Sequence, residues 1–163
     1  MYTNNKKIMA IITTYPLDAS PVAGDYLVGS KITNTGGQLN PTKNFTIGSV
    51  VEAGLGYTVY TALVTQTAAG APVATILKNN TGGAITWTRT GVGTYRCTAS
   101  SPIFTATNKV QVFINQGKPG AIGTFIQWER INTTTIGIDT YNIAGAAADS
   151  KLDNAPIEIR IYN

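Results

Sequence analysis

From Tyr57 onwards, apolar and polar positions change places with the two-residue period of β-strands. In the run Tyr57–Thr67, Tyr57, Val59, Thr61, Leu63 and Thr65 share one face, and Thr58, Tyr60, Ala62, Val64 and Gln66 the other. Each face mixes apolar and polar residues, which suits a sheet covered on both sides, by a second sheet or by another subunit. A turn of small residues, Ala68-Ala69-Gly70-Ala71, leads to a second β-type run from Val73, so an antiparallel pair is predicted. The same signals place strands near 57–67, 73–79, 84–90, 93–99, 109–115, 124–132, 134–140 and 156–162. Gly-, Pro- and Asn-rich turns separate them, such as Asn79-Asn80-Thr81-Gly82-Gly83 and Gly117-Lys118-Pro119-Gly120. The last strand has the cleanest alternation: Ile157, Ile159 and Ile161 against Glu158, Arg160 and Tyr162. Between 141 and 154 the chain is Ala-rich, and a one-turn helix or an ordered loop is expected there.

Many short strands punctuated by turns predict an all-β protein, an antiparallel β-sandwich of jelly-roll type over residues 53–163. The strand order stays open between the jelly roll and other Greek-key arrangements. Residues 1–52 differ. Prolines at 16, 21 and 41 interrupt them, and a short extended piece is expected at Asp25–Ile32 and a short extended or helical one at Phe45–Val51. Their few large apolar residues, Ile8, Ile11, Ile12, Leu17, Tyr26, Leu27, Phe45 and Ile47, read as an extended N-terminal arm that orders against a partner surface. Glu52–Gly56, with two glycines, reads as the hinge into the main domain.

Composition sharpens this picture in one respect. Charged residues make up 12% of the 163-residue chain, about half the usual share, while 43% is hydrophobic. That is a folded chain with a surface of Thr, Asn, Ser and Gly, of the kind common in extracellular or virion β-proteins. The net charge of +4 is scattered, with Lys6-Lys7 the one adjacent basic pair, so no nucleic-acid partner is expected. No run approaches the ~20 apolar residues of a membrane span, so no membrane partner is expected either. Met1 is followed by polar residues, and Ile8–Ile12 is too short for the core of a signal peptide. Synthesis and assembly in the cytoplasm are therefore expected.

The residues needed for most catalysis are missing or sparse. The chain has no histidine, which excludes Ser-His-Asp triads, Cys-His pairs and the commonest metal ligand. The single cysteine, Cys97, lies in a predicted strand and reads as a small buried residue. Two acid combinations merit weighing. Glu129 and Asp139, on adjacent predicted strands, can face each other as a glycosidase pair does, against solvation or pairing with Arg130, Arg160 or Lys151. Asp139, Asp149 and Asp153 are a formal calcium set, but their spacing matches no EF-hand loop. The reading is a non-enzyme with no catalytic, metal or cofactor site. The aromatics Trp87, Trp128, Tyr60 and Tyr95, with Tyr57 and Tyr141, have two readings: core or subunit interface, or a platform for sugar rings.

Specific segments also carry a resemblance. Val59–Gln66, Ala71–Leu77, Asn80–Gly83, Trp87-Thr88-Arg89 and Gly93-Thr94-Tyr95 resemble a β-domain of fibre and appendage proteins of tailed bacteriophages of the Bacteroidetes, including crAss-like phages. Tyr15-Pro16-Leu17, Gly24–Gly29 and Thr42–Ile47 resemble the virion-attachment leader of those proteins, and Asp153–Tyr162 their final strand. The resemblance implies a virion structural protein, often a homotrimer, with no catalytic residues. The short path from leader to β-domain favours a head fibre or capsid decoration protein bound to the capsid or another appendage subunit. A tail fibre module that binds a receptor or a host surface glycan is the alternative.

Overall fold

The computed structural model describes residues 20–30, 42–116 and 124–162. The chain divides into two compact units, Met1–Val51 and Glu52–Asn163. Of the expected arm residues, Ile8, Ile11, Ile12 and Leu17 lie outside the described residues.

In the first unit, β1 (Tyr26–Ser30) and β2 (Thr42–Thr46) pair antiparallel, from Tyr26 opposite Thr46 to Ser30 opposite Thr42. A turn precedes β1: the Val22 amide donates to the Asp25 carboxylate at 2.7 Å, and the Asp25 amide donates back to the Val22 carbonyl. Helix α1 (Ile47–Gly54) begins directly after β2. Thr46 caps it, because its hydroxyl accepts the Ser49 amide at 3.1 Å, an orphan donor of the first turn. The helix ends at Gly54, and Gly56 takes the left-handed conformation (φ +69°) that commonly follows a helix.

The second unit holds eight strands: β3 (Tyr57–Thr65), β4 (Val73–Asn79), β5 (Ile85–Gly91), β6 (Thr94–Ala99), β7 (Val110–Ile114), β8 (Phe125–Arg130), β9 (Thr135–Tyr141) and β10 (Ala155–Tyr162). Each lies within a residue or two of its expected place. They form an all-antiparallel sandwich of two four-stranded sheets, ordered β4-β3-β10-β7 and β5-β6-β9-β8. Consecutive strands therefore pair as hairpins within one sheet at β3–β4, β5–β6 and β8–β9, while β7 and β10 cross to the first sheet. The segment 141–154 is an ordered loop, closed by a bridge between Tyr141 and Ala147.

The core lies between the sheets. The first contributes Tyr60, Ala62 and Val64 of β3, Ile157, Ile159 and Ile161 of β10, and Val110 and Val112 of β7. The second contributes Trp87, Tyr95, Cys97, Ala99, Ile136 and Ile138, and connecting segments add Phe104 and Leu152. The isoleucine alternation of β10 fixes its register, because a one-residue slip would turn all three away from the core. Rather than lying at an edge, β10 sits inside its sheet between β3 and β7. The second face of β3 is half-buried at Tyr57, Thr61, Leu63 and Thr65 and buried at Val59. Only one face of that strand meets the opposite sheet.

Candidate functional site

The aromatic residues separate by the face of the strand on which they sit. Tyr60, Tyr95 and Trp87 point between the sheets and are buried, and the Trp87 indole N–H donates to the Tyr60 hydroxyl at 3.2 Å. Their ring faces are packed into the core, which removes them from a sugar platform. Trp128, on the edge strand β8, is 36% exposed and keeps a free surface. A different set of aromatics faces outward. On the first sheet, Tyr57 and Tyr162 lie 5.3 Å apart, and the Arg160 guanidinium stands 4.9 Å from the Tyr57 ring and 5.0 Å from the Phe113 ring. Arg160 also pairs with Glu158 at 2.5 Å, so this cluster largely satisfies itself. A shallow groove of about 250 Å³ adjoins it, lined by Thr61, Phe113, Asn115 and Pro156 among others. On the second sheet, Phe125 and Tyr141 are cross-strand partners and, with Gln127 and Gly145, line a depression of about 300 Å³.

The strongest polar cluster lies where the loop 141–154 meets the sandwich. Arg89 holds Asp149 with two parallel hydrogen bonds, Nε to Oδ1 at 3.0 Å and Nη2 to Oδ2 at 2.7 Å. The Gly93 amide and the Tyr95 hydroxyl also donate to Asp149 Oδ1, at 2.9 and 3.0 Å. These donors, Arg89 first, hold the Asp149 carboxyl down at about 2. Burial pushes the Tyr95 hydroxyl up to about 12. Tyr95 is within reach of Gln66 as well (2.9 Å to Oε1), and the Gln66 amide nitrogen donates to the carbonyls of Ala68 and Gly70. The Ser150 hydroxyl accepts the Ala68 amide at 2.8 Å, across 82 residues of chain. The network therefore ties the β3–β4 turn and the 141–154 loop to the second sheet. It is built as a clamp, since the Asp149 carboxylate oxygens accept from three separate groups, Arg89, Gly93 and Tyr95, and Gln66 bonds to the turn and to Tyr95.

Gly93 makes this clamp possible. Its φ is +64°, and a Cβ there would lie 2.4 Å from the Thr140 carbonyl oxygen and 2.6 Å from the Ala148 nitrogen.

The paired carboxylates reach a related outcome. In register, Glu129 faces Gly137 and Gln127 faces Asp139, so the two acids share the outer face of the sheet, offset along it. Arg96 comes between them over Gly137, with its Nη1 3.9 Å from Asp139 Oδ1. Its position answers the charge of Asp139 with a guanidinium from a third strand. Arg130, named as a pairing candidate, turns instead to the carbonyls of Phe104 and Thr105. Among the described residues no three acidic, Cys or His side chains gather as a metal-binding group. Cys97 is buried, and desolvation pushes its thiol up to about 12, away from thiolate chemistry.

The arm behaves differently from all of these. Tyr26 and Val28 are 71% and 74% exposed, and Leu27 between them is 46% exposed, so β1 is exposed on both faces at these three residues. Val50 and Val51 of α1 are exposed too, and no residue of the helix is buried. Phe45 and Ile47 are half-buried.

Comparison with protein-family models, with curated proteins and with solved structures found no match to this chain.

Proposed function

We propose that this protein is a structural subunit of a tailed-phage particle, a head fibre or capsid decoration protein without enzymatic activity. In this reading, the sandwich associates with further copies of itself, and the N-terminal arm attaches it to the capsid or to another appendage protein. The observation that carries the reading is the open apolar surface of β1. Tyr26, Leu27 and Val28 are exposed on both faces of a strand in the unit that precedes the sandwich. Covering such side chains is worth roughly 1.5–3 kcal/mol for each large aliphatic residue, which a partner surface supplies and solvent does not. The resemblance of Gly24–Gly29 and Thr42–Ile47 to a virion-attachment leader supports the same assignment. The virion location, with assembly in the bacterial cytoplasm, follows from that resemblance.

The test is incorporation into particles. Antibody labelling of purified particles should find the full-length protein on the capsid. A Tyr26→Ser, Leu27→Ser, Val28→Ser variant should keep its sandwich and lose incorporation. Equal incorporation of the variant would remove attachment from this strand, and absence of the native protein from particles would remove the virion reading altogether.

A second reading, a carbohydrate-binding module, has one observation in its favour: Phe125, Tyr141 and Gln127 together line an open depression. Such a site should bind an immobilised glycan and lose it on Phe125→Ala with the fold intact. Turnover of host polysaccharide by the pure protein would overturn the non-enzymatic assignment.

A further inference from the structure

Among the described residues the sandwich has four edge strands, and three of them present few exposed aliphatic side chains. In β5 the outward side chains are the threonines Thr86, Thr88 and Thr90. In β8 the strand carries Gln127, Glu129 and Arg130. In β7 the inner valines are buried and Phe113 lies under the Arg160 guanidinium. The fourth edge, β4, has its protection at one end only, where the register shifts at Leu77 and Lys78 pairs with Glu52 at 3.5 Å. Val73, Ile76 and Leu77 are 71%, 50% and 60% exposed, and the one charge, Lys78, stands near its end. An open edge of this kind offers unpaired backbone donors and acceptors together with an apolar surface, the template that folded proteins normally blunt.

The register shows which β4 side chains a second copy would meet. Ala74 and Ile76 stand opposite the buried Val64 and Ala62 and so take the inner face. Val73 and Thr75 stand opposite Thr65 and Leu63 on the outer face. Leu77 is the extra residue of a register shift, between Ile76 opposite Ala62 and Lys78 opposite the outer-face Thr61, and is exposed. An antiparallel partner must match inner with inner and outer with outer. A second copy of β4 does this when the two-fold axis passes through Thr75. Val73 then meets Leu77 of the other copy, Ala74 meets Ile76, and Thr75 meets Thr75. Every pair is apolar with apolar or threonine with threonine, both favourable across strands. The two Lys78 residues fall at opposite ends, so no like charges oppose each other.

We infer that β4 is a self-association edge, through which two copies join their first sheets into one continuous sheet about a two-fold axis at Thr75. The inference goes beyond the virion reading and does not depend on it. Five residues a side make a contact well below the roughly 1,200–2,000 Å² of a standard interface, so pairing in solution rises with concentration. On a particle that presents many copies, the same contact gains from effective concentration.

Cysteine cross-linking of the full chain tests the register. The native Cys97 is buried and does not compete. Under mild oxidation Thr75→Cys should form a covalent dimer at least tenfold faster than Val73→Cys, because residue 75 meets itself and residue 73 does not. The double variant Val73→Cys, Leu77→Cys should cross-link as readily as Thr75→Cys. No dimer from Thr75→Cys, or equal rates for Thr75→Cys and Val73→Cys, would overturn the pairing. Sedimentation gives an independent reading. Leu77→Lys sets a charge against Val73 of the other copy and should halve the concentration-dependent mass seen for the native chain. An unchanged mass, including a trimer insensitive to Leu77→Lys, would also overturn it. Both experiments use purified protein, so a failed virion assignment leaves their outcome untouched.

Discussion

Replacing Asp149 by asparagine keeps the shape of the side chain and removes its charge. In the native protein, Asp149 Oδ1 accepts hydrogen bonds from Arg89 Nε, the Gly93 amide and the Tyr95 hydroxyl, and Oδ2 accepts one from Arg89 Nη2. All four donors suit a carboxylate. An asparagine presents one oxygen and one NH₂ group, so its NH₂ must point at an N–H or O–H donor whichever way it turns. The folded protein holds the carboxyl at about 2, against an ordinary value of 3.8. That difference corresponds to about 2 kcal/mol of preference for the charged form. The Arg89 and Asp149 side chains are 21% and 18% exposed, so screening by solvent removes only part of it. Asp149→Asn should therefore lower stability at pH 7 by about 2 kcal/mol, read by urea denaturation. The pH dependence follows from the same shift. A depressed carboxyl stabilises the fold fully above its unfolded value of 3.8, and the contribution fades as pH falls through about 2. The native protein should lose stability over that window, and the variant should lose correspondingly less. A variant within 0.5 kcal/mol of native at pH 7, a margin of about the size seen for ordinary surface substitutions, or one with the native acid slope, would refute the clamp.

Three further outcomes follow from the same geometry. Gly93→Ala forces a Cβ against the Thr140 carbonyl at a φ of +64° and should cost about 3 kcal/mol or more by denaturation, well beyond an ordinary glycine-to-alanine change. Phe104→Ala empties a fully buried position outside the strands and should cost about 3–5 kcal/mol; a loss below 1 kcal/mol would mean that the segment collapses freely. Tyr95 is raised from 10.0 to about 12, so its contribution is complete below pH 10 and is lost as pH climbs through about 12. Tyr95→Phe should flatten that alkaline limb in a pH-stability series, and an unchanged limb would assign the effect to another group.

The N-terminal unit was less legible than the sandwich. Short pieces were expected at Asp25–Ile32 and Phe45–Val51, and a β1–β2 hairpin with helix α1 is what forms. The helix start has a local signal in retrospect, Thr46 followed three residues later by Ser49, because a cap is made by near neighbours. The aromatics show the opposite case. Tyr57–Thr65 has two mixed faces, so alternation alone could not say whether Tyr60 or Tyr57 turns inward. The opposite sheet decides it, by offering Trp87 and Cys97 to one face only.

What the chain by itself determined is the set of eight strands in a β-sandwich, because strand formation depends on alternation and on turn residues that act within a few positions of one another. It also determined the absence of histidine chemistry, which is a matter of composition. Strand order, the clamp that joins Gln66, Arg89, Tyr95 and Asp149, and the exposure of β4 were decided by the tertiary structure alone. The clamp partners Arg89 and Asp149 are 60 residues apart, and no local preference links them. An edge is a property of the sheet that a strand joins: β4 and β10 are both short β-type runs, and only assembly buries one between neighbours and leaves the other open.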